Sequence, residues 1–150
     1  MAPMGTQHWV VVNTTYRTLI QVLPLEQYTI SIQCPIDLGS DSEPEPDIAV
    51  IKGVPSQFVN ALPTATSIQL VIEVSDISLA FDRERKARIY AAAGIIEYWV
   101  IDVSARTVEV YREPIASESR YATVSLLGIS AAVTLPFGDG CDVPVNDLFV

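Results

Sequence analysis

The chain has 150 residues, a hydrophobic fraction of 49%, and 18 acidic against 9 basic side chains for a formal charge of −9. That is apolar material for one ordinary core and not two, so a single soluble domain spanning 1–150 is expected. The acidity argues against a generic DNA-coating protein, which displays a basic surface. It leaves room for an enzyme that neutralises its own carboxylates with a divalent metal and holds its substrate through one local basic patch.

No apolar stretch reaches the roughly 18 to 20 residues a membrane span needs, and no basic head precedes an apolar block at the N-terminus. A cytoplasmic protein with no membrane partner is the expectation. Cys34 and Cys141 have no CxxC spacing, and His8 is the one histidine of the chain. Two free thiols packed as small apolar groups are therefore expected, not a thiolate zinc site.

Trp9, Val12, Tyr16, Leu19, Ile20 and Leu23 recur at three- and four-residue steps, which predicts a helix over 9–23 with Thr6 as its N-cap. Tyr28 to Ile36 alternates apolar and polar side chains as a half-buried strand does, with Pro35 marking its end or an edge. The glycine, prolines and acids of 39–46 make a loop that delivers the chain to Asp47. Asp47 opens the short apolar run Ile48 to Ile51, and 53–65 reads as a surface connection.

Ile68 to Val74 is the most apolar strand of the chain. A helix is expected from about Asp82 to Ala93, ended by Gly94, and then a strand from Tyr98 to Val103. Thr107 to Arg112 and Tyr121 to Leu126 alternate as antiparallel strands, with a turn through Ser104-Ala105 before the first of them. Ala131 to Leu135 and a final Val145 to Val150 segment close the chain. The class is α/β, with no internal repeat.

Glu73 is the sharpest anomaly, because it sits in Leu70-Val71-Ile72-Glu73-Val74, where both faces read as buried. An ionised group left there without a partner costs several kcal/mol, so a lysine, a hydrogen-bond network, a metal ion or a raised pKa must compensate. Asp47 raises the same question. If its strand neighbours that of Glu73, both carboxylates enter one cleft, and two oxygen ligands in a cleft suit Mg²⁺. Asp82, Lys86 and Tyr90 are spaced to share one helix face, so Lys86 can face the sheet. A buried Glu73–Lys86 ion pair with no catalytic role accounts equally well for these residues.

The stretches Val71 to Ser75, Asp82 to Lys86, Tyr90 to Ile95 and Glu97 to Asp102 resemble the Uma-two family, and Glu43-Pro44-Glu45-Pro46-Asp47 resembles its proline-aspartate entry. That family, of unknown function and grouped with restriction endonucleases, falls in the PD-(D/E)XK nuclease superfamily. The resemblance covers nearly the whole chain and implies a restriction-endonuclease-like mixed β-sheet, a long N-terminal helix, and a crossover helix carrying the lysine. It implies Asp47 and Glu73 as metal-binding acids, the Val74 backbone carbonyl as a further ligand, and Lys86 as the catalytic lysine, with Ser75 in the usual lysine slot. Asp82 and Tyr90 would support Lys86, and Glu45 would be a weaker extra ligand.

The chemistry so implied is Mg²⁺- or Mn²⁺-dependent hydrolysis of DNA by a homodimer with no organic cofactor. The alternatives are a non-catalytic binding or assembly module on the same fold, and a metal-dependent hydrolase acting on another phosphate substrate. His8 falls where the family often has a histidine, yet a lone histidine is more often structural, so it is left outside the expected site. Arg83, Arg85 and Arg88 concentrate positive charge on one helix that could meet phosphates. Met1 to Gly5 resembles the end of a hairpin that precedes the first helix in family members, so the upstream part of that hairpin is expected to be missing.

Overall fold

The computed structural model describes residues 5–39, 42–76 and 79–150, the side chains of Leu79 and Asp82 excepted. The hairpin remnant expected at 1–5 lies almost wholly outside the described residues. Helix α1 (Thr6–Val22) leads into a six-stranded sheet built in chain order from β1 (Tyr28–Ile32), β2 (Ile48–Lys52), β3 (Ile68–Ser75), β4 (Glu97–Asp102), β5 (Thr107–Ile115) and β6 (Arg120–Leu127). Neighbouring strands are antiparallel except β3 and β4, which are parallel. A parallel pair needs a crossover. Here it is helical: a turn of α2 (Leu79–Phe81), a π-helical turn (Asp82–Lys86) and α3 (Ala87–Ala92).

The apolar residues of β3 alternate between two cores. Leu70, Ile72 and Val74 pack with Val11, Val12 and Leu19 of α1 and with Val133, Val143, Val145 and Leu148 near the C-terminus. On the opposite face Val71 packs with Tyr98 and Val100 of β4 and with Ala87, Tyr90 and Ala91 of α3. The sheet is thus covered on both sides, which explains why β3 and β4 read as continuous apolar runs. The C-terminal cover is a hairpin of β7 (Ala132–Thr134) and β8 (Asp142–Pro144), followed by a 3-10 turn (Val145–Leu148).

Three expectations are revised, and the closing segment takes a definite form. Helix α1 is capped by Gly5 and starts at Thr6, and its buried face is Val11, Val12, Thr15 and Leu19, while Trp9 is 59% exposed. The apolar stripe is rotated by about one residue from the one that bulky Trp9 suggests. Strand β1 stops at Ile32, because Gln33 adopts φ 52°, a left-handed conformation that interrupts the extended backbone before Pro35 is reached. The crossover helix begins at Leu79 and carries a π turn where a plain α-helix from Asp82 is expected. The closing 145–150 segment is mainly a 3-10 turn with Val145, Leu148 and Phe149 buried.

The remaining elements match their sequence signals. Gly94, at φ +80°, ends the crossover helix in the conformation that glycine adopts without strain. Glu97 opens β4 fully buried and accepts both oxygens' worth of hydrogen bonding from Arg112 Nε of β5, at 2.7 and 3.0 Å. Arg112 also donates to the Thr134 carbonyl at 2.7 Å, which ties the C-terminal hairpin to the sheet. No described helix is long and apolar enough to cross a membrane.

Candidate active site

The site begins with register. Ile48 of β2 lies opposite Ile72 of β3, so Asp47, one residue before, meets Glu73, one residue after. The strands are neighbours, which is the condition for their carboxylates to share a cleft. The Asp47 amide lies 3.5 Å from Glu73 Oε2, and Asp47 Oδ2 accepts a 2.8 Å hydrogen bond from the Val74 amide. N–H and C=O of one strand residue point to the same side. The Val74 carbonyl therefore faces the same edge as its amide, toward Asp47.

The crossover helix supplies the other half. Lys86, the last residue of the π turn, places Nζ 3.1 Å from Glu73 Oε2, and Tyr90 donates its hydroxyl to Glu73 Oε1 at 2.7 Å. Local π turns occur frequently at functional sites, and this one carries two ties to the sheet: Lys86 to Glu73, and Arg83 to Glu109 of β5. Tyr90 is itself fixed against Tyr98, ring centroids 5.0 Å apart. Its role is more direct than the packing support expected from its helix position, since it bonds the buried carboxylate.

The electrostatics follow from this packing. Burial pushes the Glu73 carboxyl up to about 7; the Lys86 ammonium opposes the rise, the nearby Asp47 charge adds to it, and the Tyr90 hydroxyl and Lys86 hydrogen bonds oppose it. Burial also works to raise Asp47, but hydrogen bonds from His8 and the Val74 amide outweigh it and hold that carboxyl below its ordinary range. The two acids are pushed apart: one stays ionised while the other titrates near neutrality.

His8 is the residue that sequence reasoning left out. Its Nε2 lies 3.1 Å from Asp47 Oδ2, and this bond, against the opposing effect of burial, raises the imidazole pKa, with a further contribution from the Val74 backbone. The signal was present in the spacing: His8, Val11, Val12, Thr15 and Leu19 continue one helix face, so the histidine lies on the buried stripe of α1. Gln33 is a second omission, with its side-chain amide 3.5 Å from Asp47 Oδ1.

A cavity of about 340 Å³ opens beside these groups. Glu73 and Tyr90 are its buried wall, half-buried Lys86 stands between, and exposed Phe81, Arg85 and Glu45 are its rim. Glu45 thus lines the entrance on the loop before Asp47. The Asp82 side chain lies outside the described residues. Among the described residues no three His, Cys, Asp or Glu side chains converge as a metal cluster. The oxygen groups that meet at these strand ends are the Asp47 and Glu73 carboxylates and the adjoining Val74 carbonyl.

A mixed sheet whose parallel pair is bridged by a helix, with two acids at adjacent strand ends and a lysine reaching them, is a restriction-endonuclease-like architecture. The family model Uma2, "Putative restriction endonuclease", matches residues 1–146. The chain belongs to this family, as the stretches around Glu73, Lys86 and Tyr90 suggest. Its structure is similar to that of "a putative nuclease belonging to DUF820 from Anabaena variabilis ATCC 29413", with a TM-score of 0.75 and 21% identity over 99% of this chain and 83% of that one. At that identity the likeness establishes the fold. No curated protein matches the chain.

Proposed function

We propose that this chain is a Mg²⁺- or Mn²⁺-dependent endonuclease that hydrolyses DNA phosphodiester bonds. The observation that carries the reading is the Glu73 carboxylate, 3% exposed, bonded to Lys86 and Tyr90 and set opposite Asp47 at the wall of an open cavity. Buried acids with separated pKa values beside a cation in a cleft are the arrangement by which active sites assign acid and base roles. Membership of a family described by restriction-endonuclease activity supports DNA as the substrate.

The donors suit the ion. Mg²⁺ takes oxygen ligands, commonly one or two carboxylates, and keeps several waters. Asp47, Glu73 and the Val74 carbonyl would hold it, and when bound it would supply Lewis-acid stabilisation of charge on the phosphate. Mutual repulsion of the two carboxylates, visible in the upward push that Asp47 exerts on Glu73, favours a cation there.

The chain's own groups then have separate tasks. Lys86, 31% exposed, reaches both Glu73 and the cavity, so its ammonium can donate a hydrogen bond that orients an attacking water and can offset charge on the phosphate oxygens. The Tyr90 hydroxyl fixes the rotamer of Glu73. His8 keeps Asp47 ionised and aimed at the Val74 edge. Cleavage of both strands of a duplex is most readily done by two symmetry-related sites, so a homodimer belongs to the duplex-cutting form of this reading.

The test is cleavage of plasmid and oligonucleotide DNA with Mg²⁺ or Mn²⁺ by the intact chain, Glu73→Ala and Lys86→Ala, each shown to be folded. Cleavage by the intact chain alone supports the proposal; equal cleavage by all three refutes the site. A second reading, a non-catalytic binding module, is favoured by the charge of −9 and by the internal pairing of both Glu73 oxygens. It is distinguished by indifference to metal: no cleavage and no thermal stabilisation by Mn²⁺ would select it. A panel of non-nucleic phosphate esters separates a hydrolase of other phosphates.

A further inference from the structure

Phe81 has no part in either core, and the residue is 48% exposed at the rim of the cavity that holds Glu73, Lys86 and Tyr90. Single exposed apolar side chains are ordinary, but of the exposed large hydrophobics among the described residues Phe81 is the one that lines this cavity. The ring is accompanied by cations: the Arg85 guanidinium lies 5.4 Å from its centroid and the Lys86 ammonium 5.9 Å. A half-exposed aromatic side chain with cations held over its ring combines the stacking surface and the positive charge on which single-stranded nucleic acids are held.

We propose that the cavity seats one unpaired nucleotide of a DNA strand, with Phe81 as the stacking platform for its base and Arg85 as the contact for its phosphate. This rests on the nuclease reading above and names its substrate: single-stranded or frayed DNA in preference to intact duplex. Size agrees, because about 340 Å³ is at the lower end of the roughly 300 to 1,000 Å³ of ligand pockets and has room for one extruded unit but not for stacked base pairs. In a duplex the base is already stacked and paired, and bringing it to Phe81 costs a few kcal/mol of unstacking that an unpaired strand does not incur.

The distribution of charge agrees as well. Proteins that hold duplex by its backbone do so by neutralising phosphates with lysine and arginine. Of the nine basic side chains here, Arg83, Lys86, Arg112 and Arg120 are ion-paired with acids of the chain, and the net charge is −9. A surface of that charge is a poor match for the backbone of a long duplex. A base-stacking contact adds affinity that does not depend on many cations.

The experiment measures binding of a fluorescein-labelled 12-nucleotide DNA strand, the same sequence as blunt duplex, and the same sequence as RNA, by anisotropy in Ca²⁺. Intact chain, Phe81→Ala, Phe81→Leu and Phe81→Trp are compared, with circular dichroism melts confirming that each is folded. The expected result is at least about tenfold tighter binding of the single strand than of the duplex. Phe81→Ala and Phe81→Leu should weaken it by roughly 5- to 150-fold, the span of one stacked base, while Phe81→Trp retains it. Leucine keeps an apolar side chain without a ring, so its behaviour separates stacking from packing.

Duplex bound as tightly as the single strand, indifference to Phe81→Ala, or RNA bound more tightly than DNA would each overturn the proposal. Failures of the two readings are distinguishable. Phe81-dependent binding with no Mn²⁺-supported cleavage keeps the platform and ends the nuclease reading. Duplex cleavage unaffected by Phe81→Ala keeps the nuclease and ends the platform.

Discussion

Replacing Glu73 by glutamine should make the protein more stable at pH 8 while removing any activity. The carboxyl titrates near 7 in the folded chain against an ordinary value of 4.5, and burial is the main cause. Below about pH 4.5 both the folded and unfolded chain hold this proton, and it has no effect on stability. Between 4.5 and 7 the folded state binds more protons than the unfolded one, so stability falls as pH rises. Above 7 the loss is complete. A separation of about 2.5 pH units corresponds to about 3 kcal/mol. Glutamine cannot ionise, keeps an oxygen for the Tyr90 hydroxyl, and leaves Lys86 able to turn toward solvent, since that side chain is 31% exposed. A gain of about 2 to 3 kcal/mol at pH 8 follows, or roughly 4 to 12 °C in Tm for a chain of this length. Near pH 5 the two proteins should differ by no more than about 1 kcal/mol. Urea unfolding of both from pH 5 to 8 in EDTA measures the difference, in which the titrations of His8 and Asp47 cancel to first order. A difference that stays constant across that range refutes the reasoning, because it would mean that Glu73 is not the group whose ionisation opposes folding.

Three further outcomes are expected. At ten times its dissociation constant, Mn²⁺ should stabilise the intact chain by about 1.4 kcal/mol, and Asp47→Ala should abolish the gain in a thermal melt; a gain that persists would remove Asp47 from the ligand set. Lys86→Met, which keeps the aliphatic stem, should lower the initial rate of cleavage by about 10²-fold or more and, by leaving the Glu73 carboxylate without its ammonium, should lower Tm more at pH 8 than at pH 5; an unchanged rate would make Lys86 only a structural counter-ion. Arg112→Ala strands the fully buried Glu97 carboxylate and should cost about 2 to 4 kcal/mol in urea unfolding, at the low end for buried pairs because Arg112 is itself 38% exposed. A cost below about 1 kcal/mol would show that Glu97 is protonated or solvated without its partner.

Much of the fold was legible because burial on two sides leaves a plain signature. The run from Ile68 to Val74 had to be a central strand, and Gly94 had to end the helix before β4. Where the signal failed, local bulk or local smoothness concealed a tertiary choice. Trp9 carries more apolar area than Val11 or Thr15, yet the helix turns the smaller residues to the sheet and leaves the tryptophan outside. The end of β1 at Gln33 is a left-handed residue without glycine, held by hydrogen bonds from its amide to the Pro46 and Asp47 carbonyls, and no periodicity reveals such a residue. The π turn is similarly silent: Asp82 to Lys86 reads as ordinary helix, and Arg83 and Lys86 find their acids on β5 and β3, far away in sequence.

The candidate site was legible through a demand for compensation, the helix spacing of Lys86 and Tyr90, and the family resemblance that gave these residues their roles. A lysine two residues after the glutamate, the usual slot, is replaced here by Ser75, which is buried on β3. Strict spacing would therefore have missed the cation. The requirement that Glu73 not remain buried and alone points outward from the strand to any element that can reach it, and the crossover helix does so with Lys86 and Tyr90. The same argument applied to Asp47 demands a partner too. Pursued from that acid instead of from the histidine's own base rate, it reaches His8, the one side chain on the buried stripe of α1 able to carry a proton to it. A buried charge is thus a better guide to its neighbours than each neighbour is to itself, because the energetic penalty belongs to the charge.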